Sequence, residues 1–311
     1  MSALDFKKMM MQEKKRAKEE QQQNTSLDDN KVKDFPSSKS ISSPISTLQN
    51  IYSFLPLSSE HLICSSFNND LFCFPDYLEN SSTKCQLLIN DIVNDKKPFT
   101  LLQHSNRRVK VYGDDEPVSL FPHYLQELLD SLTEKSPTSS SSPSSSSSSI
   151  FPFDTPPNHI LINEYDQNGG ILPHSDGCNY LDTTATLSLG LGEVIMRFDK
   201  RLKSHEIGLK EDSGNCVKTE VLLTGGSLLV FRGDFYNEFL HSISSSNDIK
   251  FINEDGQEEG TSKDGLGGVY AERTSKYCFN SEAGRVVNRD YRISLTVRHK
   301  KVDSTRMGEE V

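Results

Sequence analysis

The chain of 311 residues contains no tryptophan, and its six cysteines (Cys64, Cys73, Cys85, Cys178, Cys216 and Cys278) form no C-x-x-C pair. The first absence leaves any stacking on a planar ligand to Tyr or Phe. The second gives no support for a zinc ribbon or a thioredoxin-like motif, so reduced intracellular thiols are the simplest reading. No segment has the roughly 18 consecutive apolar residues of a membrane span. The first residues, "MSALDFKKMMMQEKKRAKEEQQQ", lack the apolar core of a secretory signal. The expected setting is therefore cytoplasm and/or nucleus, with no membrane partner. Positive charge is also in deficit: 34 Lys and Arg stand against 44 Asp and Glu, a net charge of −10. That argues against indiscriminate phosphate binding by a broadly basic surface but leaves room for a local basic patch. Hydrophobic residues make up only 34% of the chain, low for a fully globular protein, so part of it is expected to lie outside any folded core.

What is present changes in texture along the chain. Residues 1–48 are rich in Lys, Glu, Gln and Ser and cannot bury enough apolar surface to offset the entropy of ordering, so they read as a disordered tail. A folded domain is expected over residues 70–302. It opens with an apolar strand from Leu71 to Phe74 and a break at Pro75. A helix capped by Ser81 or Ser82 follows, with Cys85, Leu88, Ile89 and Ile92 on one stripe. A second helix, in "FPHYLQELLDSLTEK", aligns Tyr124, Leu125, Leu128, Leu129 and Leu132. The Ser-rich run at residues 136–149 has nothing to pack and reads as a flexible inserted loop. Over residues 157–300 the pattern becomes short apolar alternations punctuated by Gly: "NHILINEY", "TATLSLG", "EVIMRF", "VLLTGGSLLVFRG" and "YRISLTVRHK". This predicts a mainly β fold with flanking helices, a sandwich or barrel rather than a βαβ sheet.

Side chains on a strand alternate between faces, so residues two or six apart point the same way. Asn163 and Tyr165 form one such pair, and His174 and Asp176, after the Asn168-Gly169-Gly170 turn, form another. Arg292 and Arg298 share a face with Ser294 and Thr296, leaving Ile293, Leu295 and Val297 for the core. For any single pair, a polar face turned to solvent is the ordinary explanation. Taken together the residue types suit a metal. H-x-D plus one distant histidine fills one triangular face of an octahedral ion and leaves three positions open, as non-haem Fe(II) requires to bind a bidentate co-substrate and O2. The third donor must come from a distant strand near a turn. His241 meets that condition better than His205, which sits in a Lys-rich loop. An interior arginine supplies a bidentate partner for a carboxylate, and Asn and Tyr supply neutral hydrogen bonds.

In order along the chain, "NEY", "HSDG", "TATLSLG" with "VIMRF", "GSLLVFRG" with "LHSI", and "RISLTVR" resemble the catalytic core of the AlkB-type Fe(II)- and 2-oxoglutarate-dependent dioxygenases, most of all the eukaryotic AlkB homologue six branch. The resemblance implies a double-stranded β-helix, or jelly roll, over a core at residues 157–300 with helices from the preceding part. It implies that His174, Asp176 and His241 hold the iron. It further implies that Arg292 pairs with the distal carboxylate of 2-oxoglutarate, with Asn163 and Tyr165 beside it, and that Arg298 lies near the carboxylate that binds the metal. In such enzymes Fe(II), O2 and 2-oxoglutarate yield succinate, CO2 and a hydroxylated C–H bond. On an N-methyl group, the hydroxymethyl product then loses formaldehyde.

The Ser-rich run and residues 200–220 and 245–280 read as loop insertions relative to that family. In the family, the segment ahead of the barrel forms a lid over the substrate. Here that segment offers Phe99 and Tyr112 for stacking and Arg107, Arg108 and Lys110 for phosphate, the mixture a flipped base or single strand needs. A hairpin with solvated basic residues accounts for the same sequence. The expected activity is oxidative demethylation of alkylated nucleobases, with alkylated DNA or RNA as partner. The alternatives are the same chemistry on a protein side chain, or a non-enzymatic jelly-roll adaptor. An adaptor would not need His174, Asp176, His241 and Arg292 together.

Overall fold

The computed structural model describes residues 62–64, 69–78, 81–102, 107–133, 150–167, 169–201, 218–244, 250–252, 258–259, 269–276 and 278–301. The tail expected at residues 1–48 and the Ser-rich run lie outside the described residues, as does most of each of the other two insertions.

The alternating segments form two facing sheets. The larger runs in the order β1 (Leu62–Cys64), β2 (Asn69–Phe74), β10 (Leu228–Gly233), β7 (Tyr180–Gly190), β17 (Arg292–Lys300), β5 (His159–Tyr165), β4 (Arg107–Tyr112) and β3 (Thr100–Leu101). The smaller runs β15 (Cys278–Phe279), β9 (Lys218–Leu223), β8 (Val194–Lys200), β11 (Phe239–Ile243) and β6 (Ile171–His174). A third sheet contains β13 (Glu258–Glu259), β12 (Lys250–Ile252), β14 (Val269–Arg273) and β16 (Val286–Asn288). The two large sheets enclose a common interior, the jelly roll that the family resemblance implies.

Strand parity sorts the core. Leu228 and Val230 of β10, Ala185, Leu187 and Leu189 of β7, and Ile293, Leu295 and Val297 of β17 pack outward beneath helices α1 (Ser81–Asn94) and α2 (His123–Leu132). There they meet Leu88, Ile92, Leu125 and Leu128. Burying each such side chain stabilises the fold by about 2 kcal/mol. Residues of opposite parity face the barrel interior. Leu229, Phe231, Met196, Phe198, Val221 and Phe239 fill part of it with apolar volume. Elsewhere on the same inner surface Asn163, Thr184, Thr186, Ser188, Arg292, Ser294 and Arg298 are all buried. The polar face that a sequence reading would first give to solvent is therefore the lining of the barrel. Among the described residues, no helix is long and apolar enough to cross a membrane.

The backbone is closely packed beside Arg292. Gly190 ends β7 opposite Arg292 of β17, with φ +119. A Cβ added at Gly225 would lie 2.1 Å from the Gly190 carbonyl oxygen. Gly225→Ala therefore has to displace backbone, at a cost of about 1–3 kcal/mol. The thermal midpoint followed by circular dichroism is expected to fall by several degrees; an unchanged midpoint would show that this approach is not tight.

Candidate metal centre

β6 and β11 are hydrogen-bonded neighbours, and their register sets His174 opposite His241. The two rings lie 4.2 Å apart between centroids, tilted by 53°. Asp176 follows two residues beyond β6, just ahead of Gly177 at φ +88, where the Tyr236 hydroxyl donates to the Gly177 carbonyl at 2.7 Å. One donor atom from each of His174, Asp176 and His241 lies within 4.8 Å of the others.

His174 and Asp176 are each aimed by hydrogen-bond partners. His174 Nδ1 lies 2.9 Å from the Leu172 carbonyl, which can only accept; Nδ1 therefore carries the proton and Nε2 keeps its lone pair for a ligand. Asp176 Oδ1 accepts from Arg298 Nη1 at 2.7 Å and Oδ2 from the Thr184 hydroxyl at 2.8 Å. Arg298 and Thr184 are cross-strand partners on β17 and β7, so a single row of the sheet holds the carboxylate in one orientation. Burial pushes His241 down to about 4, against the pull of Asp176, while Phe231 and Phe198 flank its ring. It is a neutral imidazole at physiological pH, the form that coordinates a metal.

The three donors open onto a cleft lined also by Asn163, Tyr165, Thr186, Ser294 and Arg292, with about 430 Å³ of atom-free space including that open to solvent. Arg292 is fully buried over the ring of its cross-strand partner Tyr165, at 4.7 Å. Its Nη1 donates to the Ser188 hydroxyl at 3.2 Å, and its Nε has no partner. Among the described residues, no carboxylate pairs with it. Burial, reinforced by the nearby charge of Arg289, pushes Arg292 down to about 10, so it remains a cation at neutral pH. A buried cation without a counter-charge is costly unless an anion joins it. Two imidazoles, one carboxylate and a waiting guanidinium in one cleft are the groups that ferrous iron and a chelating dicarboxylic keto-acid require. The residues fit both.

The structure thus brings together His174, Asp176, His241, Asn163, Tyr165 and Arg292 around one space. Arg298 is placed on Asp176. Of the five residues expected in the lid, the four on β4 are divided by strand parity. Arg107 lies opposite Tyr165 in the β4–β5 register and shares its barrel-facing side, with Nη1 donating to Asn163 Oδ1 at 3.2 Å. Arg108, Lys110 and Tyr112 point to the helix side instead. Arg108 grips the buried Glu164 through two hydrogen bonds, one of 2.7 Å, and Tyr291 donates to the same carboxylate at 2.9 Å. Lys110 is 2% exposed and donates to the Ile92 carbonyl of α1; burial lowers its affinity for a proton. Tyr112 is 3% exposed within the helix-side core. Phe99 is half-buried against that core, with the Lys110 ammonium 4.5 Å above its ring. Lys110 and Tyr112 are therefore packing residues, which corrects their expected role on phosphate and base. Thr184, Ser188 and Tyr236 were not foreseen. The even spacing of Thr184, Thr186 and Ser188 in "TATLSLG" is a signal that marks Thr184 and Ser188 as sharing one face; nothing comparable marks Tyr236.

The model of the 2OG-Fe(II) oxygenase superfamily matches residues 92–298. The "Probable RNA/DNA demethylase ALKBH6" of Danio rerio is 24% identical over 235 residues, covering 74% of this chain and 85% of that protein. Among solved structures, OsALKBH1 aligns with a TM-score of 0.38 at 16% identity, over 74% of this chain and 96% of its own. A Pseudomonas putida prolyl-4-hydroxylase aligns with a TM-score of 0.35 at 11% identity, over 74% and 92%.

Proposed function

The chain belongs to the 2OG-Fe(II) oxygenase superfamily, and from that premise we propose that it demethylates alkylated nucleobases of DNA or RNA by oxidation. The observation that carries the chemistry is the opening of the His174, Asp176 and His241 donors onto the same cleft as the unpaired Arg292. Two observations support a nucleic-acid substrate. One is the relative named for RNA/DNA demethylation. The other is Arg107, a cation on the barrel side of β4 that reaches the cleft residue Asn163.

His174, Asp176 and His241 would hold ferrous iron, which with 2-oxoglutarate and O2 supplies the oxidation: the keto-acid becomes succinate and CO2, and a substrate C–H bond gains a hydroxyl. The chain's own residues do the positioning. Arg292 would pair with the distal carboxylate of the keto-acid, held in place by Tyr165 and Ser188. Arg298 and Thr184 keep Asp176 turned toward the histidines. Ile171, Met196, Phe231 and Ile243 form an apolar wall that limits water.

The test is incubation with Fe(II), ascorbate, 2-oxoglutarate and N-methylated single-stranded DNA or RNA oligonucleotides. Formaldehyde and succinate are expected in equal amounts, above a His174→Ala control. Formaldehyde from methylated peptides but from none of the oligonucleotides would move the substrate to protein. No product above the control with either would leave the adaptor reading.

A further inference from the structure

β6 is the edge strand of the smaller sheet, and its neighbour there is β11. Their ladder is short: His241 pairs with His174 and Ile243 with Ile171, with an irregularity between. Register in a strand pair decides which face each side chain takes, and a slip of one residue would turn His174 out of the cleft. Two pairs at a sheet edge are a weak hold on that register.

A side chain from elsewhere closes the end of this ladder. Arg289, buried in the connection between β16 and β17, donates through Nη1 to the Ser244 carbonyl at 2.8 Å and through Nη2 to the Gly169 carbonyl. Ser244 directly follows β11, and Gly169 lies just ahead of β6. One rigid guanidinium therefore spans the two chain segments that carry both histidines. The Gly169 turn also packs against Tyr165, since a Cβ there would lie 3.0 Å from the Tyr165 side chain.

Arg289 is itself held. Its Nη1 lies 3.5 Å from Glu272 Oε1, and Glu272 Oε2 accepts from Arg197 Nη2 at 2.9 Å. Arg197 also donates to Glu220 at 3.1 Å and to the Ser244 hydroxyl. Two guanidiniums and two carboxylates thus balance one another in a largely buried network, which offsets the desolvation of each charge. Glu272 lies on β14, so this carboxylate comes from the third sheet, built largely from the stretch that reads in the sequence as an insertion.

We infer that Arg289 is a positioning residue: a staple across the β6–β11 pair that fixes His174 against His241, with Glu272 of the third sheet orienting it. The inference rests on the metal site proposed above. Lysine in its place would keep the charge beside Glu272, but its single flexible ammonium cannot reproduce a planar fork spanning two separate carbonyls.

The test is titration of the full-length, metal-stripped protein with Co(II) alone, followed by its visible d–d absorption, in wild type, Arg289→Lys and Glu272→Gln, with thermal midpoints recorded in parallel. Arg289→Lys is expected to stay folded, to bind Co(II) about 10-fold or more weakly, and to show an altered band shape because the imidazoles no longer converge. Glu272→Gln is expected to show a smaller loss in the same direction. A merely structural role would lower the midpoint and leave the Co(II) spectrum as it is in wild type; wild-type affinity and spectrum in Arg289→Lys would overturn the inference. Should that variant fail to fold, Glu272→Gln decides by the same two readouts. A wild-type protein that takes up no Co(II) is a different failure, which overturns the metal site and the staple with it.

Discussion

Asp176→Ala is expected to abolish metal uptake and, with it, all conversion of 2-oxoglutarate to succinate. Asp176 is the only anionic donor of the three, so its loss removes one ligand and the charge that offsets a divalent ion. Partners outside the coordination shell typically contribute about 10–100-fold to metal affinity. Removal of a donor itself is expected to exceed that range in a calorimetric titration with Mn(II). A second effect follows from Arg298, whose guanidinium bonds Asp176 at 2.7 Å and is only 5% exposed. Without the carboxylate it retains its contact with the Tyr180 ring at 4.2 Å and no compensating anion among the described residues. Breaking a buried ion pair from one side costs about 3–5 kcal/mol, so the thermal midpoint should fall as well. Asp176→Ala with normal turnover would remove this residue from the centre.

Arg292→Met is expected to separate co-substrate binding from metal binding. Truncating one partner of a buried, hydrogen-bonded charge pair costs about 2–5 kcal/mol. At about 1.4 kcal/mol per tenfold, the KM for 2-oxoglutarate should rise by roughly 30-fold or more. Metal affinity should hold, because Arg292 bonds Ser188 and packs on Tyr165 and touches none of the three donors. The ligand-free protein offers an opposite sign. There Arg292 is a buried cation without a counter-charge, and replacing it with an apolar side chain of similar length is expected to leave the thermal midpoint unchanged or raised. The stabilisation that 2-oxoglutarate gives the wild type should disappear. An unaltered KM together with an undiminished thermal shift would place the keto-acid elsewhere.

The lid segment shows where sequence reading stopped. Its aromatic and basic residues were visible as a mixture, and the parity argument that grouped Arg292 with Arg298 also separates Arg107 from Arg108, Lys110 and Tyr112. What parity does not disclose is which face a helix covers. Once α1 lies on that side, Lys110 meets the Ile92 carbonyl and is buried away from any phosphate, while Arg108 is bonded to Glu164. The stretch at residues 245–280 shows the opposite case. Its polar composition suggested only an insertion, yet Glu272 within it closes a balanced ion network on Arg197 and Arg289. Nothing local marks a glutamate as the partner of an arginine on another strand.

The sequence by itself determined the two long helices, the alternating strands of the barrel and the types of donor, because helical and strand periodicity are properties of neighbours along the chain and His174 and Asp176 are separated by a single residue. Tertiary structure alone decided that the polar face turned inward, that β11 paired with β6 in the register bringing His241 to His174, and that Arg292 was left without an anion. Those outcomes depend on which strands pair and on what covers each sheet. They arise from burial and hydrogen bonding between segments far apart in the chain, which no local pattern encodes.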